Sequence, residues 1–346
     1  MGEIIIPQGY KSALNLHDTQ VAIKTVKDYF QHELTHRLHL LRVTAPLFVQ
    51  PETGLNDNLN GVEHPVSFEL KDQGTKKTAE IVQSLAKWKR YALHKYGFSE
   101  GEGIYTDMNA IRQDEVTDNI HSVYVDQWDW EKIMSPEERN LDFLKSTVKD
   151  IYEALKNTEK HMADQYDYIE TILPDEIFFI TSQELEDRYP DLTPKEREYK
   201  IVKEKGAVFL MQVGKTLSNG ERHDGRAPDY DDYTSNGLNN LPGLNGDLLL
   251  WDDVLQRSIE LSSMGVRVDR EALQRQLKEE NEEERLKLYF HKRLMDDTLP
   301  LSIGGGIGQS RLCMFYLRKA HIGEIQASIW PEDMRKECEE LDIHLI

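Results

Sequence analysis

Apolar residues in the N-terminal part of the chain recur at the spacing of an α-helix. Between residues 21 and 38 they fall mostly three or four positions apart, which predicts one amphipathic helix; the apolar members are Val21, Ala22, Val26, Tyr29, Phe30, Leu34 and Leu38. Residues 40–43 then form a largely apolar run that leads to Pro46 and predicts a short strand. A second long helix is predicted over residues 138–163.

Short apolar runs farther along the chain predict the strands of a sheet. These runs lie at residues 66–70, 177–182, 207–213, 247–251 and 258–268. A helix should begin at Thr193-Pro194-Lys195-Glu196, which combines an N-cap, a proline at the first helical position and a capping-box glutamate. Residues 270–295, rich in Glu, Lys and Leu, predict one long solvated helix.

The order of these elements predicts a fold of the α+β class, with a central, mainly antiparallel sheet flanked by helices. Paired strands dominate the regions that carry the sequence motifs described below, which favours antiparallel neighbours. The sequence contains no internal repeats, low-complexity tracts or Pro/Ser-rich linkers. We therefore expect residues 1–346 to form a single domain, and 346 residues are enough to bury a large core.

The net charge of the sequence argues against nucleic acids as partners. The formal net charge is −20, so nucleic-acid backbones would repel the protein unless it carried a concentrated basic patch. The densest basic cluster, residues 87–90, is too small to hold a tRNA. We therefore expect no tRNA or other nucleic acid as a partner.

Signals for export or membrane insertion are missing from the sequence. No apolar run approaches the roughly 20 residues of a membrane helix, and residues 1–7 lack the basic region and apolar core of a signal peptide. The two cysteines, Cys313 and Cys338, are too few for a disulfide framework. We expect a cytoplasmic protein without a membrane partner, in which Cys313 is a small buried core residue.

The most informative run for chemistry is Gly304-Gly305-Gly306-Ile307-Gly308, followed by Arg311. Glycines let the backbone approach a ligand closely because they have no Cβ, although a glycine-rich loop can also be a simple tight turn. Apolar residues 312–317 place Arg311 in the first turn of a helix, where unpaired N–H groups and the helix dipole favour an anion. The run is neither a Rossmann fingerprint nor a Walker A loop.

A second arginine, Arg112, belongs to a predicted β-hairpin. Two β-like segments are joined by a polar loop, and the second covers residues 121–131. Gln127 and Asp129 are two positions apart, so they project from the same face of that strand. Val123 and Val125 precede them on this face, which gives apolar support and polar contacts for a ligand; a solvated strand end is the alternative.

A third pattern, His32-Glu33-Leu34-Thr35-His36, matches the H-E-x-x-H motif of zinc proteases. It lies on the predicted helix over residues 21–38. The charged Arg37 follows it directly, and no convincing third ligand stands downstream at a position that zinc proteases use. We interpret the pattern as a chance match, with a zinc protease as the alternative.

Taken together, the motifs resemble a known superfamily. The pairing of Ile-Arg-Gln-Asp-Glu and Trp-Asp-Trp-Glu with Gly-Gly-Gly-Ile-Gly-Gln-Ser-Arg resembles motifs 2 and 3 of class II aminoacyl-tRNA synthetases, above all the aspartyl enzymes. Within this superfamily the chain resembles the ammonia-dependent asparagine synthetases, or aspartate–ammonia ligases. The matching stretches are residues 57–61, 84–90, 101–106, 121–131, 222–224, 226–232, 244–247, 260–265 and 304–311.

The resemblance implies an enzyme that joins L-aspartate to ammonia at the expense of ATP. L-aspartate would react with ATP to give β-aspartyl-adenylate and pyrophosphate, and ammonia would then give L-asparagine and AMP. Arg112 would contact the α-phosphate and Arg311 the γ-phosphate of ATP, with Gly308 beside the nucleotide. Asp247 and Glu260 would hold Mg²⁺, which takes one or two carboxylates together with phosphate oxygens.

The same resemblance assigns the amino-acid pocket. Asp57 would handle the incoming ammonia or the substrate amine, and Lys89 would act both in catalysis and in substrate binding. The expected substrate-binding residues are Ser84, Lys89, Gln127, Asp129, Arg226, Asp231, Ser263 and Arg267. A site for free aspartate needs cationic and anionic partners together, and this set contains both.

The resemblance also sets expectations about partners. Residues 21–46 resemble motif 1, the dimer-forming element, so we expect a homodimer. The chain has no room for a separate anticodon-binding barrel, and no cysteine nucleophile for glutamine lies near Met1, so free ammonia is the expected nitrogen donor. A non-catalytic paralogue that only binds an adenylate or an amino acid is the alternative, although such paralogues usually lose the motif arginines.

Overall fold

The structure, a computed structural model, describes residues 2, 4–57, 59, 63–71, 77–237 and 241–346. Its helices are α1 (Leu16–Leu38), α2 (Ala86–Tyr96), α3 (Leu141–Gln165), α4 (Ser182–Arg188), α5 (Pro194–Lys205), α6 (Arg270–Glu279), α7 (Tyr289–Met295), α8 (Gln309–Tyr316) and α9 (Glu332–Glu340). Its strands are β1 (Leu40–Arg42), β2 (Phe48–Val49), β3 (Ser67–Leu70), β4 (Lys77–Ile81), β5 (Gly103–Ile111), β6 (Tyr124–Ile133), β7 (Phe178–Thr181), β8 (Ala207–Met211), β9 (Asn245–Asp252), β10 (Arg257–Val266) and β11 (Ser302–Gly308).

A large sheet organises the fold. Its described strands follow the order β1–β5–β6–β11–β10–β9–β8–β7. Neighbours run antiparallel, except that β1–β5 and β7–β8 are parallel. A smaller antiparallel sheet contains β2, β4 and β3. The predicted α+β architecture with a mainly antiparallel sheet is confirmed.

One face of the large sheet is covered by a hydrophobic core that includes α1 and α3. The buried apolar side chains of α1 lie on one face, as the sequence predicts, and they are Ala22, Val26, Phe30, Leu34 and Leu38. The ring of Phe30 lies 4.8 Å from that of Trp128, and both Trp128 and Trp130 of β6 are fully buried. Because side chains alternate along a strand, the polar residues at positions 127, 129 and 131 project from the other face.

Most predicted elements are present within a few residues of their expected ends. They include the helices at 21–38 and 138–163, the hairpin formed by β5 and β6, the short strand at 40–43 and the five strands predicted farther along the chain. The capping box at the start of α5 is confirmed, since the Glu196 N–H donates to Thr193 Oγ1 and the Thr193 N–H donates to the Glu196 carboxylate at 2.9 Å. Cys313 and Cys338 are both buried, and the prediction for Cys313 is confirmed. In the part of the chain that the structure describes, no helix is both long and apolar enough to span a bilayer.

The prediction of one long helix over residues 270–295 is wrong. Helix α6 ends at Glu279, Asn281 adopts a left-handed φ of 58°, and a 3₁₀ turn at Glu283–Lys287 precedes α7. A left-handed residue cannot continue a right-handed helix, so the chain turns at this point. The turn lets apolar residues of α6 and α7 reach the same core, namely Ala272, Leu273, Leu277, Phe290 and Leu294.

Candidate active site

The glycine run of residues 304–308 lies in β11, a strand between β6 and β10, so the expectation of a glycine-rich loop is wrong. A Cβ on Gly304 would overlap the Glu131 carboxylate and lie 2.6 Å from Arg267 Nη2. A Cβ on Gly306 would lie 2.9 Å from Gln127 Cδ. The glycines therefore make room for polar side chains that reach across β11 from its neighbours.

The space beside β11 is filled by a buried network of charges. Arg267 donates from Nε and Nη2 to the Glu131 carboxylate at 2.8 to 3.1 Å, and from Nη1 to Asp231. Lys89 Nζ donates to Asp129 and to the carbonyls of Trp130 and Gly305 at 2.9 and 3.0 Å. Cations and carboxylates alternate, so each partly compensates the cost of burying its neighbour.

The two carboxylates that bind Arg267 differ in their titration. Burial raises the pKa of Glu131, but Arg267 and Lys89 lower it by more, so the pKa lies below its usual range. Burial also raises the pKa of Asp231, and Arg267 and Arg226 offset only part of that rise. Ser302 Oγ donates a further hydrogen bond of 2.7 Å to Glu131, which makes Glu131 the better satisfied of the two carboxylates.

Arg311 lies in the first turn of α8, as the sequence predicts. Its Nη1 donates to the Glu260 carbonyl at 2.8 Å and its Nε to the Ile120 carbonyl at 3.3 Å. Burial lowers the pKa of Arg311; Glu260 opposes this shift, and the like charge of Arg112 adds to it. The two predicted arginines are therefore close enough to repel each other, an arrangement that a bound anion would relieve.

The start of α8 is held by β6 rather than by its own N-cap. Gly308 is the N-cap and has no side chain to accept a hydrogen bond. Asp126 of β6 accepts from the Ser310 N–H at 3.1 Å and from Ser310 Oγ at 2.9 Å instead. A carboxylate at this position satisfies the free N–H group and complements the helix dipole, and it fixes the position of Arg311.

The predicted metal ligands Asp247 and Glu260 lie on neighbouring strands, β9 and β10. The pairing register shifts between Glu260 and Ser262, because a bulge places two residues opposite one. Glu260 pairs with Leu249 and Ser263 with Asp247, so all four side chains belong to the same face of the sheet. Burial raises the pKa of Glu260, and the charge of Asp247 raises it further because the two carboxylates lie close together.

This pair of carboxylates suits a divalent cation, although Arg226 already donates to Asp247. Mg²⁺ commonly uses only one or two protein carboxylates and completes its shell with water and phosphate oxygens. Among the described residues no group of three or more His, Cys, Asp or Glu side chains forms a metal cage. The donor set therefore fits a cation that arrives with phosphates better than a permanent structural metal.

Asp57 is a buried carboxylate at the edge of the cleft. Its Oδ1 accepts from the Leu59 N–H at 3.1 Å, and its Oδ2 has no hydrogen-bond partner among the described residues. Burial raises the pKa of Asp57; Lys87 opposes this shift and Asp229 adds to it. The rest of the predicted motif at residues 57–61 lies outside the described residues, apart from Leu59.

Most of the predicted site residues line one cleft. These residues are Asp57, Ser84, Lys89, Arg112, Gln127, Asp129, Asp231, Glu260, Ser263, Arg267, Gly308 and Arg311. Arg226 lines an adjoining cavity, and Asp247 lies behind it as its ion-pair partner. The structure thus brings together residues that are up to 254 positions apart in the chain (Asp57 to Arg311), while their individual roles stay predictions.

The sequence reasoning missed several residues of the cleft. Glu131, the partner of Arg267, follows Asp129 by two positions, and the strand period that selected Gln127 and Asp129 also selects it. His121 and Tyr230 line the cleft as well. Both residues lie within sequence stretches that resemble the aspartate–ammonia ligases, and this is the signal by which they could have been found.

Two other sequence patterns have structural explanations. The basic cluster at residues 87–90 is buried, with Lys89 and Arg90 bonded inside the protein, so it does not form a basic surface patch. In the H-E-x-x-H pattern, Glu33 accepts hydrogen bonds from Arg37 and Asn157. Those contacts give Glu33 a structural role within the helix layer.

Comparison with solved structures identifies the fold. Asparaginyl-tRNA synthetase from Pyrococcus horikoshii, complexed with asparaginyl-adenylate, aligns with a TM-score of 0.62 at 17% identity, over 91% of this chain and 70% of that one. The enzyme from Entamoeba histolytica, also with asparaginyl-adenylate, aligns with a TM-score of 0.62 at 14% identity, over 90% of this chain and 66% of that one. The fold is therefore that of a class II aminoacyl-tRNA synthetase catalytic domain, and this chain spans about two thirds of those synthetases.

Sequence comparison defines the family within that class. The model of the aspartate–ammonia ligase family matches residues 17–342. The aspartate–ammonia ligase of Bacteroides thetaiotaomicron is 68% identical over 346 residues and the whole of both chains. That of Clostridium tetani is 59% identical over 97% of this chain and 96% of the relative. The chain belongs to the aspartate–ammonia ligase family, and it is an enzyme of the ligase class.

The close packing around β11 leads to a stability prediction. We expect Gly304→Ala to lower the free energy of unfolding by about 1–3 kcal/mol or more, the range for overpacking a core, because the new Cβ displaces Glu131 and Arg267. Gly308→Ala is the matched control: its φ is −63° and the nearest atom to its Cβ would be 3.4 Å away. Urea unfolding of both variants measures the difference, and equal stability would contradict the packing argument.

Proposed function

We infer that the chain catalyses the ATP-dependent conversion of L-aspartate and ammonia to L-asparagine, AMP and pyrophosphate, and we propose that a β-aspartyl-adenylate is the intermediate. Membership of the aspartate–ammonia ligase family carries the overall reaction. The intermediate is supported by the fold, which is shared with synthetases whose structures contain an aminoacyl-adenylate. The single observation from the site that favours it is the pair of arginines at the cleft, Arg112 and Arg311.

In the first step the aspartate β-carboxylate would attack the α-phosphorus of ATP. Arg112 would neutralise charge on the α-phosphate and Arg311 on the γ-phosphate, through planar guanidinium groups suited to phosphate oxygens. Asp247 and Glu260 would hold Mg²⁺, which would neutralise phosphate charge when bound. Gly308 leaves room beside Arg311, since the three atoms nearest to where its Cβ would be belong to the Arg311 side chain and lie 3.4 to 3.7 Å away.

The charged network beside β11 would bind aspartate. Lys89 and Arg267 are the cations, and Asp129 and Asp231 are the anions that would face the α-ammonium group. Asp129 Oδ2 is buried without a partner among the described residues, which leaves one acceptor for the substrate. Ser84, Gln127, Ser263 and Arg226 would supply the remaining polar contacts, and holding both reactants in line is the main catalytic contribution of such a site.

In the second step ammonia would attack the activated carboxyl carbon. Asp57 is the candidate to accept the proton that the nitrogen must lose, because its unpartnered Oδ2 lies at the cleft and burial raises its pKa, which makes the carboxylate a stronger base. Free ammonia, and not glutamine, would be the donor.

Product analysis tests this function. Pure protein with ATP, Mg²⁺ and L-aspartate should form L-asparagine and AMP with ammonium chloride, and should form none with ammonia-free glutamine. Below the pKa of ammonium the rate at limiting ammonium should rise with pH, because the NH₃ fraction rises. Chelation of Mg²⁺ should stop the reaction. Equal asparagine from glutamine, ADP in place of AMP, or charging of tRNA with aspartate would contradict the proposal.

We also propose that the protein is a cytoplasmic homodimer in which each chain forms a single catalytic domain. We propose that it does not bind tRNA. Strand β1 lies at the edge of the large sheet, and Leu41 on it is 60% exposed. An apolar edge strand needs cover to avoid uncontrolled pairing, and a symmetric dimer provides it. Residues 87–90, the densest basic cluster of the sequence, are buried and offer no surface to a tRNA.

Light scattering at micromolar concentration should give twice the chain mass. Leu41→Lys should shift the protein toward the monomer, because it puts a charge at the proposed interface. Leu341→Lys is the control, since Leu341 is also exposed but follows α9, far along the chain from β1. A wild-type monomer would refute the dimer, and equal effects of the two substitutions would refute this interface.

A further inference from the structure

A second cavity joins the cleft on the side of Arg112. The two cavities share six described lining residues, namely Leu59, Arg112, Glu115, Tyr230, Glu260 and Ser263. Among the described residues, the charged ones that line the second cavity and not the cleft are three carboxylates, Glu63, Asp114 and Asp224, and one guanidinium, that of Arg226. Away from the shared wall, which the proposed ATP and Mg²⁺ sites use, this excess of carboxylates favours a small cation such as ammonium.

Gln83 lies in the wall of this cavity with an unused carboxamide. The residue is 0% exposed, and neither its Oε1 nor its Nε2 has a hydrogen-bond partner among the described residues. A buried amide without partners costs free energy, so such a group in a cavity wall points to a ligand. Its position is fixed through its backbone, because the Gln83 N–H donates to Asn56 Oδ1 at 2.9 Å.

The same Asn56 oxygen connects Gln83 to Asp57. It also accepts from the Asp57 N–H at 2.9 Å, so one side-chain atom holds the two backbone segments together. Asn56 in turn donates to the Ile81 carbonyl at 3.3 Å and to Glu80 at 3.2 Å. Gln83 lines the second cavity and Asp57 lines the cleft, so Asn56 holds together two buried side chains with unpartnered atoms, one in each of the adjoining cavities.

We propose that the second cavity is the entry route for ammonium and that Gln83, together with Asp57, binds the nitrogen nucleophile. This inference rests on the function proposed above. Gln83 Oε1 and Asp57 Oδ2 each accept one N–H of ammonia, which leaves its lone pair directed at the activated carboxyl carbon.

The chemical step balances with these groups. The nitrogen lone pair forms the bond to the β-carboxyl carbon of the adenylate. The bond from that carbon to the AMP oxygen breaks, and its electron pair leaves with AMP. The nitrogen, now with four bonds, releases one proton to the Asp57 carboxylate, and the product is a neutral carboxamide.

Gln83→Met, which removes both polar ends at similar volume, tests the proposal. Loss of one hydrogen bond to a polar ligand should raise KM for ammonium roughly tenfold. ATP–pyrophosphate exchange with aspartate in the absence of ammonium reports the first step alone, and it should match that of the control Gln165→Met, which alters an exposed residue at the end of α3. Gln83→Glu keeps an acceptor oxygen and should show a smaller rise in KM for ammonium than Gln83→Met.

The outcomes separate the two proposals. An unchanged KM for ammonium in Gln83→Met, or a loss of exchange as large as the loss of synthesis in a folded variant, would overturn the role of Gln83 while the proposed function stands. If Gln83→Met does not fold, as judged by circular dichroism, Gln83→Asn is read by the same criteria. No aspartate-dependent exchange in the wild type would contradict the proposed function itself, and this inference with it.

Discussion

Arg311→Ala and Arg112→Ala should each lower the rate of aspartate-dependent ATP–pyrophosphate exchange by roughly 10²–10³-fold, the range for loss of one preorganised donor to developing charge. Arg311 is already oriented before substrate binds, because two main-chain carbonyls, those of Glu260 and Ile120, accept from its Nη1 and Nε. Its Nη2 takes no part in those two hydrogen bonds and would be available to a phosphate oxygen.

Arg112 is less constrained, and that difference affects the expected pattern. Its Nε is buried without a partner among the described residues, and Nη2 makes only a long contact of 3.5 Å with the Gln83 carbonyl. A ligand anion is therefore expected to order Arg112. We expect Arg112→Ala to raise KM for ATP as well as to lower the maximal rate, whereas Arg311→Ala acts mainly on the rate.

The matched controls separate charge from geometry. Arg311→Lys keeps the positive charge but loses the planar fork, so it should recover only part of the lost rate. Arg335→Ala removes an exposed arginine of α9 and should leave exchange at the wild-type rate. Exchange within twofold of wild type in a folded Arg311→Ala or Arg112→Ala variant would remove that residue from the proposed phosphate site.

Local sequence patterns predicted the parts of this protein that depend on nearby residues. The buried face of α1 follows from a spacing of three to four, and the start of α5 follows from a capping box whose partners are three residues apart. The position of Arg311 in a first helical turn follows from the apolar residues after it. In each case the determining contacts lie within one or two turns of the chain.

Features that depend on distant residues could not be predicted in this way. The glycines of β11 look like a loop in the sequence, because the reason for them, the side chains of Gln127, Glu131 and Arg267, comes from other strands. Residues 87–90 look like a surface cluster, because the partners that bury them, such as Gly305 and Asp229, lie 142 to 216 positions away. The break between α6 and α7 likewise serves packing on a shared core.

The geometry of the candidate site depends on one irregularity that no sequence pattern signals. Asp247 and Glu260 share a face of the sheet because Glu260 pairs with Leu249, two residues from Asp247. Ser263 is three residues from Glu260, so regular alternation would place its side chain on the opposite face. The bulge in β10 corrects the alternation. Only the paired register of β9 and β10 shows it.

Arg267→Met should cost about 3–5 kcal/mol of unfolding free energy, the range for breaking a buried ion pair by removing one partner. Arg267 is 3% exposed, and its loss leaves Glu131 and Asp231, at 0% and 2% exposure, without their main cation. Lys89 and Ser302 still contact Glu131, but Asp231 loses its ion pair with Arg267. Methionine has a similar length and fills much of the space, so the loss is mainly electrostatic.

Arg270→Met is the matched control, three residues farther along the chain. Arg270 pairs with Asp297 at 3.3 Å, but both side chains are more than half exposed. Solvent screens such a pair, so the change should cost about 0–1 kcal/mol. Urea unfolding of the two variants at pH 8 measures the contrast, and equal losses would show that the buried network does not stabilise the fold.

The loss of unfolding free energy caused by Arg267→Met should depend on pH, and this dependence is a second test of the same network. In the wild type the pKa of Glu131 lies below its usual range, because Arg267 and Lys89 outweigh the effect of burial. Without Arg267, burial should raise that pKa, so the folded variant would take up a proton on Glu131 as the pH falls through the raised value. Protonation removes the uncompensated charge, and the deficit relative to wild type should therefore shrink between pH 8 and pH 5. A deficit that stays constant or grows over this range would mean that Arg267 stabilises the protein through packing and not through its charge.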